Sequence, residues 1–544
     1  QIAQRRWSMK RALIIDLTDT GAEDEHGKRQ AAAPTPATRP LPPPLAFRLL
    51  RRSGERSAPH LETLSNLTAG TWEYALVSNF LICPIWLLSA CPVLQRVPTV
   101  VIATDETLKP WHDRVEIHNP KGRFIDDYGK HHSKFFLLIG TAGVRVIVHT
   151  ANLLYHDVEH MTQGVWSQDF PRKRLVPTCP SWSAFEDTLV AYLDATGWRG
   201  NGAAGEISPR SLRDFDFSRA AAHLLASVPG RHRESEGRST LDQWGHRQFS
   251  RLLRNEQLPI NPNDEILWNF SSLASSGRRV SQKDGKTTYH FSEELFTAMS
   301  GELASRPQGL GVVWPTVAEV RESNIGFAAG ASMPAHKANV DQLFESRRAT
   351  MYRWAEPAEA GAAPKSSQLG RARVMPHIKT FLRWAPSTGQ VAWLALTSSN
   401  YSMAAWGQLE DVHGKKNGPQ LYIKSFELGV LITPGSLARA GTRVRQWNCQ
   451  DPAASKDVPH LLAAEAAPPP VLRALEKQPE EERSTSAAAD VVYLPLPYAL
   501  PPREYAVNDR PWCSGEHAEP DRFGRTSPAA KLYGLDKYGR IPGA

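Results

Sequence analysis

A chain of 544 residues is longer than one hydrophobic core usually organises, so two domains of roughly 200 residues each are expected. Hydrophobic residues at 41% and charged residues at 22%, with 16 Trp, exclude a disordered or fibrous chain. The net charge of +8 favours a polyanionic partner; the five cysteines, odd in number and never spaced as CxxC, suggest neither a disulfide framework nor a zinc site and suit a reducing intracellular compartment.

The chain opens with Gln1, which is not expected to be the native start, and residues 1–44 are charged and then rich in Ala, Pro and Thr, a composition that reads as a flexible tail. Within it, residues 12–19 (ALIIDLTD) form an apolar strand-former beside acids, of the kind that adds to an exposed sheet edge in a SUMO-type partner. The apolar stretch Phe80 to Leu94 carries Pro84 and Pro92 and is too short to span a bilayer, so it reads as core and no membrane partner is expected. Residues 356–368 read as a surface loop and about 453–489 as a flexible insertion.

An internal repeat organises what lies between. Its first copy runs His132-Ser-Lys134-Phe-Phe-Leu-Leu-Ile, a turn with Gly, then Val144 to Asn152; its second runs His377-Ile-Lys379-Thr-Phe-Leu-Arg, a turn, then Val391 to Asn400. Both copies read as β-hairpins, rich in Val, Ile, Phe and Trp with Gly near the turn. In a strand, positions i and i+2 share a face, so each His projects beside its Lys, and the Asn closing the partner strand falls nearby. The histidines are 245 residues apart, one domain's worth, which implies two similar halves.

Each half therefore offers an imidazole, an ammonium and a carboxamide. Lys supplies a point charge to phosphate, Asn donates neutral hydrogen bonds, and His attacks phosphorus or carries a proton near neutral pH. Two facing clusters can do more than bind. One imidazole displaces the leaving group in line while the other protonates it, giving a phosphohistidine that water hydrolyses without a metal or other cofactor. A single HxK in a strand usually means surface residues; two copies, with Asn 20 and 23 residues beyond the histidines, are much harder to obtain by chance.

The paired HxK resembles the phospholipase D superfamily, whose motif usually continues to an Asp. Ile139 and Trp384 stand at those positions, and the His-Lys-Asn version is similar to the tyrosyl-DNA phosphodiesterase branch. The flanking segments agree: Tyr128 to Lys134, Thr162 to Trp166, Gln243 to His246, Phe270 to Ser272, Met375 to Lys379, Ala404 to Gly407, Ser425 to Gly429 and Asp509 to Trp512. The resemblance covers about residues 45–515 and points to a fungus or other eukaryote.

The resemblance implies an α/β fold of two pseudo-twofold-related domains, 45–222 and 223–544, each a mixed β-sheet flanked by helices, with the active site at their interface. It implies a nuclear, monomeric DNA-repair hydrolase acting on single- and double-stranded DNA whose 3′ ends carry adducts such as a topoisomerase I-derived peptide. Carried over by position, His132 is the nucleophile, His377 the general acid and then base, and Lys134, Lys379, Asn152 and Asn400 the phosphate cradle, with Gln163 and Glu427 orienting the histidines. Tyr128 matches a base-stacking aromatic, Ser272, Ser275 and Ser402 match positions near the DNA backbone, and Trp512 joins them as a substrate contact. Met403 stands where the family often has Lys, removing one phosphate contact. His131 is expected to be structural. A lipid-cleaving phospholipase D is the rival enzyme and an inactive DNA-binding scaffold the rival non-enzyme; the absent Asp argues against the first and the complete His-Lys-Asn set against the second.

Overall fold

The computed structural model describes residues 45–124, 129–175, 182–200, 207–234, 239–259, 261–280, 287–300, 309–347, 350–355, 369–410, 419–440, 469–475 and 491–527. Residues 12–19, Tyr128 and the 356–368 stretch lie outside the described residues.

The apolar runs of the repeat become hairpins. Phe135–Ile139 pairs antiparallel with Gly143–His149, and Thr380–Trp384 with Gln390–Thr397. Phe135–Ile139 and Thr380–Trp384 are buried throughout, as strands covered on both faces must be. Around the first hairpin grows an eight-stranded mixed sheet in the order Leu61–Glu62, Arg48–Leu50, Gly164–Pro171, Gly143–His149, Phe135–Ile139, Tyr74–Ser78, Thr99–Ile102, Val115–His118. Around the second grows another, in the order His223–Ser227, Glu427–Ile432, Gln390–Thr397, Thr380–Trp384, Glu265–Asn269, Gly309–Val313, Thr350–Tyr352.

Setting aside Leu61–Glu62 in the first sheet and the added strands Val471–Ala474 and Val491–Leu494 in the second, each half has the same strand order. Counted from its own N-terminal strand, it is first, seventh, sixth, fifth, second, third, fourth. The parallel pairs fall at the same places too, Tyr74–Ser78 with Thr99–Ile102 answering Glu265–Asn269 with Gly309–Val313. Helices such as Ala184–Ala195, Gly245–Glu256 and His290–Ser300 bury their apolar faces, Leu189 and Leu193 in the first and Phe249 and Leu252 in the second. Within Phe80 to Leu94 the helix Pro84–Ala90 starts at its proline, where a missing N–H costs nothing, and buries Trp86 and Leu87. No helix among the described residues is long and apolar enough to cross a membrane.

Two expectations need correction. The motif residues do not lie inside the hairpins: the strands begin at Phe135 and Thr380, just after each Lys, and end at His149 and Thr397, three residues before each Asn. The backbone around each His is taken up by the other half instead. His132 N donates to Phe426 O at 2.9 Å and Phe426 N to Lys130 O at 2.9 Å, while His377 N and Ile378 N donate to Thr162 O at 3.0 and 2.7 Å and Thr162 N to Met375 O at 2.8 Å. The stretch read as a flexible insertion also contains Val471–Ala474, which pairs with Val491–Leu494 and with Gln390–Val391 and buries Leu472. A four-residue strand between biased segments leaves too little pattern to stand out.

Candidate active site

The two crossings fix what surrounds each histidine. The residue after Phe426 is Glu427, whose Oε2 lies 2.9 Å from His132 Nδ1; the residue after Thr162 is Gln163, whose amide meets His377 Nδ1 through Nε2 at 3.1 Å and Oε1 at 3.3 Å. Each half thus supplies the orienting side chain for the other half's histidine. With Nδ1 engaged, both rings present Nε2 for chemistry.

Hydroxyls brace these partners in matching fashion. Thr150, two residues before Asn152, accepts from Gly164 N at 3.0 Å and donates to Gln163 Oε1 at 2.8 Å. Ser398, two residues before Asn400, accepts from Leu428 N at 3.0 Å and donates to Glu427 Oε2. A hydroxyl at that place in both copies is visible in the sequence once the repeat is aligned. The lysines match as well, Lys134 Nζ donating to His132 O at 2.7 Å and Lys379 Nζ to His377 O.

The asparagines differ. Asn400 Oδ1 accepts from Ser271 N at 3.0 Å and Ser272 N at 2.9 Å, which fixes its amide and leaves the NH2 free to donate. Asn152 Oδ1 is buried with no hydrogen-bond partner, and its backbone N donates to Asp157 Oδ2 at 3.0 Å. Asp157, which the sequence reading did not single out, lies with Oδ2 3.4 Å from His377 Nδ1. Phe80, also missed, packs its ring 5.3 Å from that of His132 and 5.8 Å from Lys134 Nζ, and nothing in its flanking sequence marks it.

Burial dominates the electrostatics. It pushes His132 below the usual histidine range against the pull of Glu427, and pushes His377 well below it with Lys379 and Lys134 adding to the effect. It lowers Lys134 to about 8 and carries Lys379 well below its ordinary value, Lys134 being the next cause. For Glu427 burial acts upward, but His132 and Lys134 outweigh it and hold the carboxyl low. The site is buried and gathers two lysines, two histidines and two carboxylates, Glu427 and Asp157, around one place. Of the two rings His132 is the more open, with 16% of its side chain exposed against 7% for His377. Among the described residues no group of three or more His, Cys, Asp or Glu is placed to hold a metal ion.

The structure does not bring every expected residue to the cavity. Trp512 is fully buried and donates its indole N–H to Met333 O at 2.9 Å, so its ring has no face left for a substrate; the rings of Phe327 and His517 stacked beside it hold it in the core. Ser402 caps the helix Met403–Trp406 by accepting from Ala405 N, Ser275 donates to Gln342 Oε1 at 2.8 Å, and Ser272 lies beside Asn400. Met403 is partly buried against the core. His131 is buried, bonded through Nε2 to Ser78 Oγ at 2.8 Å and driven to a pKa of about 3 by burial, as a structural histidine is.

The tyrosyl-DNA phosphodiesterase family model matches residues 55–506. The chain is 31% identical over 501 residues to tyrosyl-DNA phosphodiesterase 1 of Arabidopsis thaliana, covering 86% of this chain and 73% of that protein. It is 27% identical to the Drosophila melanogaster protein of the same name, covering 69% of this chain and 63% of that one. The crystal structure of the yeast tyrosyl-DNA phosphodiesterase superposes with a TM-score of 0.58 at 16% identity, over 87% of this chain and all of that one, a likeness of fold.

Proposed function

Since this chain belongs to the tyrosyl-DNA phosphodiesterase family, we propose that it hydrolyses 3′-phosphotyrosyl and other 3′-blocked ends of DNA through a covalent phosphohistidine. The observation that carries the reading is the pair of cross-braced histidines, one held by a carboxylate and one by an amide, over two lysines.

The diester's charged oxygens lie between Lys134 and Lys379, with the Asn400 NH2 donating from one side. His132 Nε2 attacks phosphorus while Glu427 accepts from Nδ1–H and stabilises the positive charge that the ring gains on forming the P–N bond. The P–O bond to the adduct breaks, and His377 donates its Nε2 proton to the departing oxygen. His377, now neutral, takes a proton from water; the hydroxide forms a new P–O bond, the P–N bond breaks, and His132 is regenerated beside a 3′-phosphate. The two roles are split by environment, since the carboxylate suits the ring that must bear charge in the adduct and the amide suits a ring that must gain and lose a proton.

The fitting substrates are single- and double-stranded DNA ends carrying a topoisomerase I-derived tyrosyl peptide, met by a monomer in the nucleus. Ser272 and Ser402 adjoin Asn400, which supports a role for them, with Ser275, along the DNA strand, and Tyr128 is proposed to stack on a base. The test is turnover of a 3′-phosphotyrosyl oligonucleotide in EDTA. Release of tyrosine with a 3′-phosphate product supports the reading; no release, or release only with added metal, overturns it.

A further inference from the structure

We infer that Asp157 is a positioning residue for His377, supplying the negative charge that the Gln163 amide lacks and so allowing this ring to hold its proton as general acid. The inference rests on the proposed role of His377.

Asp157 is 3% exposed at its side chain, and its Oδ2 lies 3.4 Å from His377 Nδ1. It is held there from three sides: Asn152 N donates to Oδ2 at 3.0 Å, Ser332 Oγ to Oδ1 at 3.2 Å, and the Asp157 carbonyl accepts Gln163 Nε2 at 2.9 Å. The last bond ties the Asp157 backbone to the Gln163 amide beside the ring. The other groups facing His377 are Lys379, Lys134, His132 and His156, each of which disfavours an imidazolium there, as burial does. Without a carboxylate nearby, a cationic His377 would have none of the support that Glu427 gives His132. The charges close when Asp157 is included: two lysines balance Glu427 and Asp157, and an incoming diester anion balances one imidazolium.

The carboxylate therefore has a signature that a merely structural residue lacks. An alkoxide leaving group requires protonated His377, whereas tyrosine departs as a phenolate with little help. Asp157→Asn keeps an acceptor for Asn152 N but removes the charge, so it should slow single-turnover cleavage of a 3′-alkyl phosphodiester at neutral pH by about tenfold or more and move the alkaline limb of its pH profile down by about one unit. Adduct formation from phosphotyrosyl DNA, the first step alone, should change by less than about threefold, and KM for the alkyl diester should not rise, because the cavity becomes more positive. Restoring a carboxylate on the same ring, in Asp157→Asn with Gln163→Glu, should bring the limb back. Equal slowing of both substrates with an unmoved limb, or no change in either, overturns the inference. If Asp157→Asn alone does not fold, Gln163→Glu is compared with the double variant, and an identical limb in the two overturns it. Wild-type cleavage of phosphotyrosyl DNA tests the proposed function separately, so the two failures are distinguishable.

Discussion

In the first half the hydroxyl of Thr150 secures Gln163, and in the second the hydroxyl of Ser398 secures Glu427, by the same two hydrogen bonds at the same places in one strand order. The backbones agree and the side chains they aim do not. Glu427 reaches the more open histidine and Gln163 the more buried one. A duplicated scaffold thus yields two chemically distinct imidazoles, chiefly because the side chain delivered across the interface to Nδ1 is a carboxylate in one case and a carboxamide in the other. Neither half is complete alone, because its own orienting residue serves the other.

The largest test of this division is His132→Ala. Removing the nucleophile while both lysines and His377 remain should lower phosphotyrosyl cleavage by at least about a thousandfold with DNA binding largely intact. Residual activity within about tenfold of wild type would remove His132 from that role. His377→Ala breaks the symmetry in the other direction. His132 can still displace tyrosine, but no base remains to activate water, so a covalent enzyme–DNA adduct should build up on denaturing gels. Adduct formation by His132→Ala instead would reverse the two assignments.

A smaller effect comes from the orienting pair. Glu427→Gln removes a charge-assisted hydrogen bond and should cost the first step about 1.5–3 kcal/mol, roughly ten- to a hundredfold. Its pH dependence carries the sign: burial already sets His132 below its ordinary value and Glu427 is the main influence raising it. Losing that carboxylate should shift the acid limb, where activity falls as His132 gains a proton, to still lower pH. A limb moving upward in single-turnover profiles would contradict the assignment.

Much of this was legible beforehand because it is local. Apolar runs such as Phe135 to Ile139 announce buried strands, and the His-Lys-Asn spacing repeats within a few residues. What remained hidden depends on chain segments hundreds of residues apart. Sequence order places Gln163 near His132 and Glu427 near His377, and only the crossings at Phe426 and Thr162 reverse that pairing. Those same crossings explain why the strands start after Lys134 and Lys379. Asp157 went unnoticed because an acid in the short helix Tyr155–His160, which also carries Glu159, looks like a solvated one. Trp512 misled because an aromatic in a family segment says nothing of whether it packs inward.

The interface itself depends on Gly164, where a Cβ would lie 2.7 Å from Leu396 Cδ1 and 2.8 Å from Ile378 Cδ1. Gly164→Ala should force those side chains of the second half aside and destabilise the fold by about 1–3 kcal/mol, measured by thermal or denaturant unfolding. Because Gln163 is its neighbour, adduct hydrolysis should suffer more than adduct formation. Unchanged stability would show that the halves can separate locally at no expense.

The finest comparison sets Thr150→Val against Ser398→Ala. Each removes one hydroxyl with little change in volume, and each orphans one backbone N–H, that of Gly164 or of Leu428. The penalty for the orphaned donor is therefore common to both and cancels in the difference. What is left is the bond each hydroxyl donates, neutral to Gln163 Oε1 and charge-assisted to Glu427 Oε2. Neutral bonds contribute about 0.5–1.5 kcal/mol and bonds to a charged group about 1.5–3 kcal/mol, so Ser398→Ala should lose about tenfold more rate than Thr150→Val. The steps affected should differ as well, attack by His132 for Ser398→Ala and breakdown of the adduct for Thr150→Val. Equal losses in the same step would mean that the two hydroxyls serve only the strands, and that carboxylate and amide owe their aim to something else.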